Sequence, residues 1–390
     1  MAQAATIPIP RARTREATVP WYLWMALAGT TSAIVGVEWD ISWHRTIGRD
    51  TFLTPAHLAI YLCGVLAGIS CGYLILAATF QRTAEHLREA SVSLWGFRGP
   101  IGAFIAAWGG IAMLTSAPFD DWWHSAYGLD VKIISPPHIV LALGIFGVEL
   151  GALMLVLGRM NRADDSGRRL LEKLYLYQGG LVLVNVATII MEYTFRLNMH
   201  SAMFYRAIAL AIPLFLVAVS QASTLPWAAT RMALVYMLLW NGMNWILPLF
   251  PAEPKLGPVF NPVTHFVPSF FSLLLVFPAL AVDWLLARTT AWGSLTRAAA
   301  AGAAFVSVTL AAQWPFANFL VSPWSRNWFF HTHLHDYRTG PNSLNWKNQF
   351  FQWERTPGEF WSNLAIAFAA AILFTWIGLH WSRWLRRLQR

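Results

Sequence analysis

The feature that most constrains this chain is a series of ten long apolar stretches. A helix that crosses a bilayer needs about 20 mostly apolar residues, and the stretches approach that length. Charged residues make up only 12% of the chain, against roughly 25% in soluble domains, so they cannot cover a water-facing surface. The sequence therefore predicts an all-α, polytopic transmembrane bundle of about ten spans, at 21–39, 57–80, 100–119, 137–158, 174–193, 207–222, 228–250, 265–287, 298–320 and 360–382.

Positive charges are concentrated in every second segment that connects the predicted spans. Eighteen of the 28 Lys and Arg residues fall in the basic leader 1–20, in the segments on the same side of the predicted bilayer and in the C-terminal tail. Because Lys and Arg are concentrated in cytoplasmic segments, we expect cytoplasmic N- and C-termini in a bacterial-type inner (plasma) membrane. Topology then explains the net charge of +9, and we expect no nucleic-acid partner.

Histidines lie mostly on the opposite, periplasmic side, where two segments about 80 residues apart share one pattern. Each segment joins an outgoing span to a returning one and reads D-x3-H-x12-H in the first copy and D-x3-H-x13-H in the second. The residues of the pattern are Asp40, His44 and His57 in the first copy, and Asp120, His124 and His138 in the second. The repeat predicts a duplicated helical hairpin within a four-span region, 21–160.

The spacing of the repeat predicts a metal site in each hairpin. An acid and a His four residues apart lie on one face of a helix, and a Pro just before the second His suits the first turn of the returning helix. One carboxylate and two imidazoles then form a three-ligand site with an open position, which suits zinc, copper or non-haem iron alike. The alternative is an interfacial loop whose Asp and His side chains are only hydrated; the repetition argues against it.

The first copy resembles the signature of the C subunit of the copper membrane monooxygenases, the particulate methane and ammonia monooxygenases. The shared residues surround the D-x3-H-x12-H spacing and are Trp43-His44, Arg49-Asp50-Thr51 and Thr54-Pro55-x-His57. The resemblance covers about residues 20–160. It implies that Asp40, His44 and His57 bind copper and form the catalytic centre.

The family's second site has an Asn where this chain has Asp120, followed by His124 and His138 at the family's spacing. A carboxylate in place of an amide binds a cation more tightly and alters the charge of the site. The resemblance further implies a complex with other monooxygenase subunits, as a homotrimer or hetero-oligomer, that inserts oxygen from O2 into a small apolar substrate.

The remaining six-span region, 161–390, carries a long outer loop at about 319–359 with a third group of histidines. In an extended segment His331, His333 and His335 point the same way, so they form either a third metal- or proton-handling cluster or a polar lid. Near the inner end of the eighth span, Asp283 is expected to pair with Arg288 or to meet water.

Three functions are compatible with these residues. The first is a copper-dependent monooxygenase, or its metal-bearing subunit, supplied with electrons by an external donor such as a quinol. The second is a non-catalytic membrane protein that binds or delivers copper or zinc. The third is a membrane zinc hydrolase in which Asp50 or Asp121 serves as general base. The ligand types leave copper, zinc and iron open, and the resemblance favours copper and the first function.

Overall fold

The computed structural model describes residues 19–48, 51–81, 83–128, 135–195, 198–255, 263–334 and 354–390. Within these residues the chain is mostly helical. The helices are α1 (Trp21–Thr46), α2 (Pro55–Phe80), α3 (Glu85–Glu89), α4 (Ile101–Tyr127), α5 (Pro136–Met160), α6 (Asp165–Ile189), α7 (Ala202–Ser220), α8 (Ala228–Ile246), α9 (Val276–Arg288), α10 (Ser294–Leu320) and α11 (Pro357–Leu385). A small antiparallel hairpin, β1 (Val92–Leu94) and β2 (Phe97–Gly99), precedes α4. Most of the leader 1–20, together with Asp50, Asp130 and His335, lies outside the described residues.

Seven helices of the described chain are long and apolar enough to cross a membrane: α2, α4, α5, α7, α8 with the turn that follows it, α10 and α11. The chain is therefore a multi-pass helical protein. Helices α1 and α6 have sufficient length, 26 and 25 residues, but are less apolar. Among the described residues, length and apolarity therefore support seven spans, and the predicted number of about ten is not confirmed.

The predicted span 265–287 differs most from the structure. Only its second half is helical, because α9 begins at Val276 and has 13 residues. A helix of this length extends about 20 Å, short of the roughly 30 Å of a hydrocarbon core. Pro268, which lacks a backbone N–H, lies in the non-helical first half.

Side chains of neighbouring helices supply the hydrogen bonds that this non-helical segment lacks. Tyr236 Oη accepts from Leu273 N at 3.0 Å, and Asn241 Oδ1 accepts from Ser272 N at 3.1 Å. The indole N–H of Trp240 donates to the carbonyl oxygen of Phe270 at 2.6 Å. Irregular backbone is tolerated at membrane depth when protein groups satisfy it in this way. The sequence pattern showed an apolar run and could not reveal these partners.

The two hairpins predicted from the repeat are present, as α1 packed on α2 and α4 packed on α5. Both depend on glycine at the helix crossing. A Cβ atom added to Gly36 of α1 would lie 2.8 Å from Ile60 N of α2, and one added to Gly109 of α4 would lie 2.5 Å from Val148 N of α5. Helices in membranes approach this closely where small residues let their backbones meet. Helix α2 also packs against α4, which brings the two hairpins side by side.

The glycine contact between α4 and α5 can be tested with an adjacent control. We expect Gly109→Ala to push the helices apart and to destabilise the protein by about 1–3 kcal/mol, the usual range for overpacking. Gly110→Ala should be tolerated, since nothing lies within 4 Å of a Cβ at that position. The measurement is the thermal unfolding midpoint of each purified variant in detergent. Equal midpoints for the two variants would contradict the close crossing.

Candidate metal centre

The residues of the repeat lie where the helices of each hairpin meet their connecting loop. Asp40 and His44 occupy the last turns of α1, and His57 is the third residue of α2. Thr54 precedes α2, and its hydroxyl oxygen accepts from Thr51 N at 2.8 Å. This turn, followed by Pro55 at the start of the helix, directs His57 back towards the end of α1.

In the first triad one carboxylate faces two imidazoles. Asp40 Oδ2 lies 3.7 Å from His44 Nε2, and Asp40 Oδ1 lies 3.3 Å from His57 Nε2. The side chains are only partly exposed, at 19% for Asp40 and 16% for His57. Asp40 Oδ1 is itself buried and accepts no hydrogen bond from the described residues.

The second triad has the same arrangement on α4 and α5. Asp120 Oδ2 lies 3.5 Å from His124 Nε2, and Asp120 Oδ1 lies 3.5 Å from His138 Nε2. One ligand atom from each of the three residues can be chosen so that all lie within 4.8 Å of one another. In the part of the chain that the structure describes, this is the one group of three such residues that meets that spacing.

These separations suit a bound ion. An ion that holds its ligands tetrahedrally with bonds of about 2.0–2.1 Å keeps the ligand atoms about 3.3 Å apart, close to the separations of 3.3 to 3.7 Å in the two triads. A cation between the groups also offsets the cost of placing a carboxylate near membrane depth. The second triad therefore fits a metal ion, whereas the ligand atoms of Asp40, His44 and His57 do not all lie within 4.8 Å of one another. The chemistry of the ligands does not specify which ion binds.

A glycine one turn beyond the first His of each triad sets the orientation of that imidazole. His44 Nδ1 lies 3.1 Å from the carbonyl oxygen of Gly48, and His124 Nδ1 lies 3.2 Å from that of Gly128. An Nδ1–H that donates to the carbonyl leaves Nε2 as the ligand atom. Both glycines have positive φ, 94° and 87°. The spacing D-x3-H-x3-G is present in both copies of the repeat, and it is the sequence signal from which these two glycines could have been predicted.

The two triads line one cavity of about 110 Å³ between the hairpins. Asp40 and His57 contribute one wall, and Asp120, His124 and His138 contribute another. The spacing within each hairpin predicted two separate sites. Their placement on a common cavity follows from the packing of α2 against α4, which the sequence did not indicate.

A larger, mostly apolar chamber of about 500 Å³ adjoins the same residues. Asp40, His44 and His138 lie at its edge, and its other walls come mainly from apolar residues of α1, α5, α6 and α7, including Ala211 and Phe215. A small apolar molecule in this chamber would therefore lie next to the ligands of both triads.

Two buried carboxylates beside this chamber were not anticipated. Glu38 accepts from Thr188 Oγ1 at 3.1 Å and from Ser269 Oγ at 2.9 Å. Glu149 accepts from Asn185 Nδ2 at 2.9 Å, while its other oxygen has no hydrogen-bond partner among the described residues. The available signal was an acid within an apolar helix, which by itself marks a functional residue in a membrane protein.

The third histidine group does not have the predicted extended form. Residues Thr332–Leu334 form a single 3-10 turn, and His331 has a left-handed backbone with φ of 51°. His331 is buried whereas His333 is exposed, with ring centroids 6.0 Å apart. Burial, aided by the charge of His333, lowers the pKa of His331 to about 4, so its imidazole is neutral at neutral pH. His335 lies outside the described residues.

No protein-family model, curated protein or solved structure matches this chain. The assignment of function therefore depends on the geometry of the two triads and their surroundings.

The glycine that follows the second triad gives a direct test of how the imidazole is oriented. Gly128 has φ of 87° and ψ of −171°, a region that only glycine adopts readily, and other residues there incur a strain of about 1–3 kcal/mol. We expect Gly128→Ala to displace the carbonyl beside His124 and to weaken metal binding by about 10- to 100-fold, the range for losing an outer hydrogen bond to a ligand.

The control is Gly110→Ala in α4, the helix that Gly128 follows, at a position where a Cβ meets nothing within 4 Å. Metal affinity is measured by competition with a chromogenic chelator. Equal affinities for Gly128→Ala and Gly110→Ala would show that the carbonyl does not orient the ligand.

Proposed function

We propose that this chain is a membrane metalloenzyme, or the metal-bearing subunit of one, that uses O2 to oxidise a small apolar substrate. The observation that carries the proposal is the position of the apolar chamber, whose edge is formed by Asp40, His44 and His138. A concave, largely apolar pocket with a few converging polar groups is the usual form of a small-molecule site.

Copper is the metal we propose, because the first triad resembles that of the C subunit of the copper membrane monooxygenases. Bound copper supplies the redox chemistry that activates O2. Insertion of one oxygen atom into a C–H bond reduces the other to water and consumes two electrons and two protons, so an external two-electron reductant, for example a quinol, is required. We propose the outer, periplasmic face as the location of the site, on the basis of the charge distribution of the loops.

The protein residues have three tasks in this proposal. The carboxylates of Asp40 and Asp120 each face two imidazoles, and their negative charge balances part of the positive charge of the cation. Gly48 and Gly128 orient the imidazoles of His44 and His124 through their carbonyl oxygens. The walls of the chamber bind the substrate and exclude water, which strengthens every electrostatic interaction within the site.

Metal binding without catalysis is the alternative that the site's exposure favours. The side chains of His44 and His138 remain 31% and 26% exposed, so an ion could exchange with a carrier or partner. A zinc hydrolase would use the same ligands, with Asp121, which also lines the shared cavity, near enough to serve as a base.

Metal content of purified protein tests the first step of the proposal. We expect copper to bind stoichiometrically and His124→Ala to lower its affinity by more than the roughly 10- to 100-fold that loss of an outer hydrogen bond to a ligand costs. His86→Ala, an exposed histidine of α3, is the matched control and should keep wild-type affinity. Elemental analysis after dialysis against chelator provides the measurement. Equal copper retention in the two variants would contradict a metal site that includes His124.

A variant with a blocked chamber distinguishes an oxidative enzyme from a protein that only binds metal. Ala211 of α7 lines the chamber and is not a ligand. We expect Ala211→Phe to keep wild-type copper content and to lose reductant- and substrate-dependent oxygen uptake by about tenfold or more, as one displaced contact of about 1.4 kcal/mol implies.

The control for this variant is Leu210→Phe, at an adjacent position that is 43% exposed. It should retain oxygen uptake. Wild-type protein that binds copper but shows no substrate-dependent uptake would support storage or delivery, and zinc in place of copper would support hydrolysis.

A further inference from the structure

A second large cavity lies at the end of the bundle opposite to the metal centre. Helix α5 begins at the second triad, and Asn161, just beyond its other end, donates to the carbonyl oxygens of Leu385 and Leu388 at 2.9 and 2.7 Å. The last turn of α11 therefore marks this opposite end. A cavity of about 620 Å³ lies there, between the last turns of α7, α9 and α11 and the first turns of α8 and α10.

Four arginines line this cavity: Arg288, Arg297, Arg383 and Arg386. The positive charges of Arg383 and Arg386 act against that of Arg297. One nitrogen of the Arg297 guanidinium donates to the carbonyl oxygen of Leu286 at 3.1 Å, while its Nε is buried and has no hydrogen-bond partner among the described residues. Arg288, Arg383 and Arg386 are exposed to solvent, and Arg386 also donates to the carbonyl oxygen of Gln221. An anion in the cavity would offset the repulsion among the four positive charges.

The protein does not supply that anion. Asp283 is the one acid among the described residues that line the cavity, and its carboxylate is engaged elsewhere. It accepts from Ala229 N at 3.1 Å and from Thr230 N and Oγ1, both at 2.8 Å, so it caps the start of α8. The expected pair with Arg288 is not formed, because the Arg288 guanidinium lies 4.7 Å from the ring centre of Trp284.

Helix α9 carries a stripe of exposed apolar side chains that ends at this cavity. Phe277, Leu280 and Trp284 are exposed, at 50%, 39% and 47%, and their spacing of three and four residues places them on a single stripe. Arg288 follows one turn later at the edge of the cavity. Trp227, on the other side of the cavity, is also half exposed. Amphipathic aromatic rings of this kind concentrate at the level of lipid headgroups.

We infer that this arginine cavity binds the phosphate of an anionic phospholipid, whose acyl chain lies along the α9 stripe. Guanidinium groups form paired, charge-assisted hydrogen bonds with phosphate oxygens, and basic pockets between membrane helices suit anionic headgroups. A lipid accounts for the arginines and the adjoining apolar stripe together, whereas free phosphate accounts only for the arginines. This site is independent of the proposed oxidation chemistry.

Native mass spectrometry of the full chain tests the inference. The protein is reconstituted in nanodiscs of phosphatidylcholine with a minor fraction of phosphatidylglycerol, and the lipid retained after release is identified. We expect phosphatidylglycerol to be retained in preference to phosphatidylcholine. Arg383→Gln should reduce its retention by about tenfold, the equivalent of one charged hydrogen bond of about 1.5 kcal/mol.

The matched control is Arg387→Gln, which removes the same charge from an exposed residue at the same end that does not line the cavity. It should change retention less than twofold. An equal loss of phosphatidylglycerol retention in both variants, or equal retention of the two lipids by the wild type, would contradict an anionic-lipid site in this cavity. Inorganic phosphate that displaces phosphatidylglycerol and itself protects the wild type from thermal unfolding would overturn the lipid assignment in favour of free phosphate. The Phe277→Ser variant, which interrupts only the apolar stripe, should weaken lipid retention; an unchanged value would also count against a lipid.

Discussion

The structure depends on one repeated interaction, a carboxylate that two imidazoles share across a helical hairpin. Each hairpin must bring the end of one helix to within a few ångströms of the start of the next. Glycines such as Gly36 and Gly109 permit this because their helices meet backbone to backbone. Ligand geometry and helix packing are therefore coupled, and a change that separates the helices also separates the ligands.

Hydrogen bonds between buried polar side chains connect the two hairpins to the rest of the protein. Glu38 lies two residues before Asp40 of the first triad and is held by Thr188 of α6 and by Ser269 of the non-helical segment before α9. Glu149 of α5 is held by Asn185, also of α6. Buried acids are costly unless they are hydrogen-bonded. Both thus fix α6 against the hairpins, and Asn185 and Thr188 form part of the chamber wall.

Periodicity and spacing predicted what depends on neighbours in sequence. The helices of the two hairpins, and the approach of His44 and His57 to Asp40, followed from helical geometry and from the proline that starts α2. Contacts between distant residues could not be predicted in this way. The shared cavity requires α2 to pack on α4, and the irregular segment before α9 is stabilised by Tyr236, Asn241 and Trp240, which lie 30 or more residues away in the chain.

X-ray absorption at the copper edge, on purified protein loaded with one to two equivalents of copper, tests whether the two triads bind the metal. We expect a spectrum dominated by imidazole nitrogen and carboxylate oxygen at about 2.0–2.1 Å, the usual bond lengths for such ligands. Combined substitution of Asp120→Ala and Asp40→Ala should abolish that spectrum. A copper spectrum without imidazole, or one that persists unchanged in the doubly substituted protein, would contradict it.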